Sequence, residues 1–138
     1  MKILLDTNII LDIWLSRAPH DKPAAELLTL AEKGQVAALV CANTLTTLHY
    51  FARKHSGEAS ARQALRLLLQ ICNVAAVNRG VIEKALQDPM ADFEDAVLYE
   101  SAKQAEADIL VTRNIRDFKN AAIPIMSSPE VLARLQQE

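Results

Sequence analysis

The chain has 138 residues, of which 51% are hydrophobic and 23% are charged, and its formal net charge is −2. This composition is typical of a globular protein and excludes a disordered one, and the length suits a single domain over residues 1–138. The slightly acidic balance gives no overall positive field for nucleic acid, although a local basic patch is compatible with it.

The sequence has no feature of a membrane or exported protein. No apolar run approaches the roughly 18–20 residues needed to cross a bilayer, and the first residues lack the apolar length and cleavage site of a signal peptide. Cys41 and Cys72 lie in apolar runs without metal-ligand spacing, so we expect each to be a buried free thiol in a reducing compartment. These features predict a soluble cytoplasmic protein with no membrane partner.

Short apolar runs alternate with helical patterns along the chain. The predicted strands cover residues 2–5, 35–41, 73–77, 109–112 and 122–126. The predicted helices cover residues 9–14, 23–33, 44–55, 59–71, 81–86 and 92–105, and a last helix begins at Ser128. Continuously apolar strands separated by helices predict a parallel sheet with helices on both faces, and such sheets bind ligands beyond the carboxyl ends of their strands.

Acidic and amide side chains follow two of the predicted strands. Asp6 directly follows the first strand, and Asn114 and Asp117 follow the fourth. Asp92 and Asp95 open the helix before the fourth strand, three residues apart and therefore on one face. If the first and fourth strands are neighbours, these side chains converge on one pocket. Carboxylates held together repel one another unless a cation lies among them, and an oxygen-only set favours Mg²⁺ or Mn²⁺ over zinc.

Two interpretations of these acids remain open from spacing alone. A hard divalent ion suits hydrolysis of a phosphodiester, because it acidifies bound water and stabilises charge on the phosphate. The alternative is a local structural role, in which Asp6 caps the first helix and Asp92 and Asp95 serve the later helix as N-cap and N3 residues. In that interpretation Asp117 is an ordinary turn residue.

Two sequence blocks carry a family likeness. The first is Ile3-Leu4-Leu5-Asp6-Thr7-Asn8-Ile9-Ile10-Leu11-Asp12, and the second combines Asp92-Phe93-Glu94-Asp95-Ala96 with Leu110-Val111-Thr112-Arg113-Asn114 and Arg116-Asp117-Phe118. Together they resemble PIN-domain ribonucleases, and among these the VapC-type toxins of toxin–antitoxin pairs. The resemblance implies a three-layer α/β/α sandwich with a central parallel sheet of about five strands. It also implies an acidic cluster that binds Mg²⁺ or Mn²⁺ and cleaves RNA, and a small antitoxin as partner.

The resemblance also assigns roles to individual residues. Metal ligation falls to Asp6 and Asp95, with Asp92 as an additional acid one turn earlier. Asn114 occupies the position of a fourth acid, for which Asp117 is a possible substitute. The remaining assignments are Thr7 and Thr112, as hydroxyls that orient carboxylates or water, and Arg113 and Arg116, as RNA-binding residues that flank the acids.

One position departs from the family pattern. The family usually has an acid in the helix after the second strand, where this chain has Thr47, and no Asp or Glu occurs from Ala37 through Gly57. This keeps a second function open, a PIN-like domain that binds RNA or a protein without cleaving. A phosphatase-like α/β domain would also keep Asp at strand ends, but no Lys follows the fifth strand to hold a phosphoryl group.

The helix over residues 59–71 is more apolar than one core face requires. Leu65, Leu67, Leu68 and Leu69 crowd its second half. Burial of the surplus against a second copy or an antitoxin would avoid an exposed patch, so we expect a homodimer, which the family commonly forms.

Overall fold

A computed structural model describes residues 1–119 and 121–137 of the protein. Its five strands are β1 (Lys2–Leu5), β2 (Ala37–Cys41), β3 (Cys72–Ala75), β4 (Ile109–Val111) and β5 (Ile125–Met126). Its seven α-helices are α1 (Thr7–Trp14), α2 (Asp21–Glu32), α3 (Ala42–Ser56), α4 (Glu58–Ile71), α5 (Arg79–Gln87), α6 (Phe93–Gln104) and α7 (Ser128–Gln136). A short 3₁₀ helix covers Ile115–Asp117. Within these described residues, no helix is both long enough and apolar enough to span a bilayer.

The strands form one parallel sheet in the order β3-β2-β1-β4-β5. From β1 the chain builds outward through β2 to β3, and then returns to add β4 on the other side of β1. The strand order therefore reverses between β1 and β4, which is the place where open parallel sheets bind ligands. The first and fourth strands are neighbours, which is the condition under which the sequence predicts that the acids converge.

Helices cover both faces of the sheet, as predicted. Alternate residues of β1 point to opposite faces, so Ile3 and Leu5 join one core and Leu4 joins another. The first core packs against α1, α2, α3, α4 and α7, and the second packs against α6, which also packs on α5. The predicted three-layer α/β/α sandwich is confirmed, and α6 lies on the second face of the sheet, where it contacts β2 and β3.

Several predicted boundaries need correction. The second strand begins at Ala37 rather than at residue 35, and the third ends at Ala75 rather than at residue 77. The fifth strand contains Ile125 and Met126 alone, because β5 lies at the sheet edge and bonds to β4 over this short register. The two cysteines are free and buried, as predicted, and burial raises the pKa of the Cys72 thiol to about 11.

Candidate active site

Asp6 lies at the carboxyl end of β1, where the strand order reverses. Its Oδ1 accepts the backbone N–H of Thr7 at 2.7 Å, and its Oδ2 accepts the hydroxyl of Thr112 at 2.8 Å. Its own N–H donates to the carbonyl of Val111 at 2.9 Å, so the ends of β1 and β4 are joined here. Burial raises the pKa of the Asp6 carboxyl, and the hydrogen bonds from Thr112 and Thr7 oppose that rise.

Asp92 and Asp95 occupy the first turn of α6. The Asp92 carboxylate is the N-cap and accepts the backbone N–H of Asp95 at 3.1 Å. Asp95 is half-buried, and its pKa is raised to about 6. Burial is the largest cause, followed by repulsion from Asp92, Asp6, Asp117 and Glu94. The Asp95 carboxyl therefore interacts electrostatically with all four of the neighbouring acids.

Asp117 approaches the same place from the loop after β4. The Thr112 hydroxyl accepts the backbone N–H of Asn114 at 3.0 Å, and the N–H of Asp117 donates to the Asn114 carbonyl at 3.0 Å. These bonds turn the loop into the short 3₁₀ helix. Asp117 then lines a cavity of about 420 Å³ together with Asp92, Asp95 and Arg116. The exposed side chain of Asn114 does not line this cavity.

A second, narrow cavity of about 20 Å³ connects Asp6 with Asp95. It is also lined by Asn43 of α3 and Glu94 of α6, which the sequence interpretation did not select. The hydroxyl of Thr7 lies beside it, 3.0 Å from the hydroxyl of Thr44, so Thr7 contacts Asp6 through its backbone N–H and not through its side chain. Asp95 lines both cavities and therefore links Asp6 with Asp92 and Asp117.

The position that lacks the family acid lies one helical turn after Asn43. Thr47 is half-buried, and its hydroxyl is 3.5 Å from the Asn43 carbonyl oxygen. Residues four apart on a helix share a face, and that spacing is the signal that could have identified Asn43. The side-chain amide oxygen of Asn43 is a possible type of ligand for a hard divalent ion, but it carries no charge.

Arg113 and Arg116 occupy different environments. The Arg113 guanidinium donates two hydrogen bonds to Asp12, at 2.7 and 3.1 Å, and Asp12 is fully buried on α1. Arg116 is exposed and lines the cavity that holds Asp92, Asp95 and Asp117. Arg113 thus ties the loop after β4 to α1, and its charge also opposes the rise in the pKa of Asp6. Arg116 lines the cavity of Asp92, Asp95 and Asp117.

The donor set at this edge suits a hard divalent ion. Oxygen atoms of five carboxylates contribute to it, and their repulsion, added to burial, raises the pKa of Asp95 to about 6. As the side chains stand, no three His, Cys, Asp or Glu residues within 1–119 and 121–137 are spaced to hold a metal ion. The residues fit such an ion in chemistry, and their exposed members, Asp92 and Asp117, would have to move closer to Asp95.

The alternative role in helix capping is also present. Asp6 and Asp92 are N-caps of α1 and α6, and Asp95 lies at N3 of α6. Capping fixes the backbone at these positions, but it does not explain why three helix or loop ends bring five acids together. A cap needs one acceptor oxygen, and the second oxygen of Asp92 has no capping contact to make.

Comparison with known proteins agrees with this architecture. A family model described as PIN domain matches residues 2–116. Ribonuclease VapC1 from Aquifex aeolicus (strain VF5) is 22% identical over 138 aligned positions, which cover 96% of this chain and 94% of that protein.

Solved structures of VapBC proteins have the same fold. VapBC-1 from nontypeable Haemophilus influenzae aligns with a TM-score of 0.69 and 20% identity, over 94% of this chain and 99% of that chain. VapBC2 from Rickettsia felis, bound to a DNA fragment from its promoter, aligns with a TM-score of 0.68 and 19% identity, over 92% and 98% of the two chains. Because the family model covers most of the sequence and the fold agrees over nearly the whole chain, this protein belongs to the PIN domain family.

Proposed function

We propose that this protein is a Mg²⁺- or Mn²⁺-dependent endoribonuclease. The observation that carries the proposal is the placement of four aspartates around two cavities at the carboxyl ends of β1 and β4: Asp92, Asp95 and Asp117 line one, Asp6 and Asp95 line the other. Burial, together with repulsion from its acidic neighbours, raises the pKa of Asp95, which agrees with this placement. A purely structural cluster would gain nothing from this repulsion. The likeness to a protein named as a ribonuclease supports the same conclusion.

Each residue of the cluster has a defined task in this proposal. Asp6, Asp92 and Asp95 would hold the ion, which when bound acidifies water and stabilises charge on the scissile phosphate. Thr112 orients the Asp6 carboxylate through the 2.8 Å hydrogen bond. Asp117, which lines the cavity, would position the attacking water, and Asn114 holds the loop through its backbone hydrogen bonds.

Arg116 has a separate task, because its guanidinium lies in the acid-lined cavity and can pair with a phosphate oxygen.

A second candidate function is binding of RNA or a protein without cleavage. It is favoured by Thr47, which supplies no charge where the family has an acid, and by the absence of a preassembled group of three ligands in the described residues. Asn43 answers part of this objection, since it is a polar residue that lines the same narrow cavity as Asp6 and Asp95. RNA cleavage by the wild type that is lost in the Asp6→Asn and Asp95→Asn variants would favour the nuclease over a binding protein.

The biological setting we propose is that of a toxin with a small antitoxin partner, in the cytoplasm. The solved structures with this fold are named as VapBC and toxin–antitoxin complexes, which supports a protein partner. The two free cysteines suit a reducing compartment. Co-purification with the product of an adjacent short reading frame, and loss of growth inhibition in its presence, would test the pairing.

We also propose a homodimer. Of the four leucines in the second half of α4, Leu68 is buried and Leu65 packs against the core, whereas Leu67 and Leu69 are 50% and 49% exposed. Two exposed leucines on one helix suit burial against another copy. Light scattering at micromolar concentration should give twice the chain mass, and a strictly monomeric mass would contradict the dimer.

The nuclease proposal is tested by incubation of single-stranded RNA with the purified protein in Mn²⁺ and in EDTA. Cleavage should require the metal and should fall by at least about 100-fold in Asp6→Asn and Asp95→Asn, because each removes a charged ligand. Glu26→Gln on α2 is the matched control, since Glu26 is exposed and lies on the opposite layer from α6. Equal cleavage by the wild type and either Asp variant would refute the assignment.

A further inference from the structure

A third cavity lies next to the acid-lined cavity of about 420 Å³, on the α5–α6 side of the molecule. It also has a volume of about 420 Å³, and the two cavities share Pro89, Met90 and Lys119. Its other lining residues come from α5, α6 and the segment after β4, and they are Lys84, Gln87, Asp88, Tyr99, Glu100, Lys103 and Ala122. We refer to this cavity as the lysine groove. Because the two cavities share lining residues, they lie side by side between Asp95 and Lys84, and we call the pair the channel.

The sign of the charge changes along this channel. The first cavity contains Asp92, Asp95 and Asp117, whereas the lysine groove contains three lysines and two acids. Both acids of the groove contact other groups of the protein. Asp88 accepts the backbone N–H of Met90 at 3.0 Å, and Glu100 is buried with its Oε1 3.4 Å from Lys103 Nζ.

Three lysines and two acids give the groove a formal charge of +1, and Lys103 is the lysine that pairs with Glu100, which leaves Lys84 and Lys119. Both are exposed, and among the residues described neither amine lies within 4.0 Å of a carboxylate. Arg116 is likewise exposed and unpaired within the described chain, and it lies in the adjoining cavity. The channel therefore has three exposed cations that form no ion pair with the described residues, beside the acids that line its first cavity. Exposed, unpaired cations are the side chains that can contact the phosphates of a nucleic acid.

We propose that the lysine groove binds the phosphate backbone of a single-stranded RNA on one side of the cleaved bond. The inference rests on the proposed nuclease function, because the groove lies beside the cavity of Asp95, and this position selects RNA as the occupant. The acids repel phosphates, so a substrate strand needs compensating cations close to the place where it enters the cluster. Lys119 lines both cavities and meets that need at the junction, and Lys84 extends the contact along α5. Met90, half-buried at the same junction, offers an apolar surface to a base.

Binding in the absence of cleavage tests this proposal directly. The probe is a fluorescein-labelled 12-nucleotide oligouridine in EDTA, and its dissociation constant is measured by anisotropy at several salt concentrations. Each phosphate contact on a single strand contributes about 0.7 to the slope of log affinity against log salt. Lys84→Ala and Lys119→Ala should each make the slope shallower by about 0.7. Each should also weaken binding about fivefold at 0.1 M salt, and the double variant about 25-fold.

Lys33→Ala is the matched control, since Lys33 is exposed at the end of α2 in the opposite layer. It should leave the affinity and the slope unchanged, and equal melting temperatures should show that all variants are folded. A double variant within twofold of the wild type with an unchanged slope would overturn the proposal. So would a wild type that does not bind the oligonucleotide.

A different result would refute the nuclease proposal. If binding depends on Lys84 and Lys119 but Mn²⁺ produces no cleavage, the groove stands and the nuclease function is refuted. If cleavage occurs, the double lysine variant should show a raised KM with kcat nearly unchanged, because the groove holds substrate and transition state equally. An unchanged KM in that variant would overturn the groove.

Discussion

We predict that the ionised Asp95 carboxylate lowers the free energy of unfolding. The Asp95 carboxyl has a pKa of about 6 in the folded protein, against an ordinary value of 3.8, because of burial and then the charges of Asp92 and Asp6. The folded state therefore holds the proton more tightly than the unfolded state. Stability is highest below pH 4 for this group and falls as the pH rises through 4 to 6.

The magnitude follows from the shift. One pKa unit corresponds to about 1.4 kcal/mol, so the full shift would correspond to about 3 kcal/mol above pH 7. Asp95 is only half-buried, so solvent screening reduces this figure, and the favourable position of a negative charge at N3 of α6 removes a further fraction. We expect Asp95→Asn to raise the free energy of unfolding by about 1 kcal/mol at pH 7.5, which is a rise of about 3 °C in melting temperature.

Urea unfolding in EDTA between pH 4 and pH 8 measures this effect. The stability difference between Asp95→Asn and the wild type should grow as the pH rises from 4 to 6 and remain constant above about 7. Glu26→Gln, an exposed change on α2, should show no such growth. An Asp95→Asn protein that is less stable than the wild type at pH 7.5, with a parallel pH profile, would refute the reasoning.

Three further substitutions test the other contacts. Asp92→Ala should be about 1 kcal/mol less stable than Asp92→Asn in chemical unfolding, because both remove the charge and only Asn keeps the cap of α6; equal stabilities would contradict the capping role. Arg113→Ala should lower the free energy of unfolding by about 3 kcal/mol, since buried Asp12 would retain only Arg17 at 3.7 Å, and Arg113→Lys should recover part of the loss; a loss below about 0.5 kcal/mol would contradict a structural role for this pair. Thr47→Glu should preserve or raise Mn²⁺-dependent cleavage because it restores a charge one turn from Asn43, and a folded but inactive variant would contradict this.

The sheet and the convergence of its acids were predictable because each depends on local patterns. Continuous apolar strands, helix-capping residues and the position of Asp6 directly after β1 are all visible in the sequence. The order of the five strands was not predicted, because it depends on how distant segments pair. β5 was predicted too long because residues 122–124 are apolar, but Pro124 has no N–H to donate to β4 and the pairing covers Ile125 and Met126.

Contacts between distant segments were not predictable in the same way. The Asp12–Arg113 pair joins residues 101 positions apart, and nothing in either local pattern indicates that they meet. The lysine groove likewise combines Lys84 of α5 with Lys119 after the 3₁₀ helix, and only the packing of α5 on α6 brings them to one cavity. Asn43 and Glu94 were not predicted as site residues because neither belongs to the acids of the family pattern. Both lie on helices, α3 and α6, that line the narrow cavity of Asp6 and Asp95.

The central claim is that Asp6 and Asp95 hold one divalent ion together. Equilibrium binding of Mn²⁺, followed by the loss of its free electron paramagnetic resonance signal, tests this without RNA. We expect the wild type and Glu26→Gln to bind Mn²⁺ with the same affinity, and Asp6→Asn and Asp95→Asn each to bind it at least about tenfold more weakly, because each loses a charged oxygen ligand. Equal Mn²⁺ binding by the wild type and both Asp variants would contradict the claim.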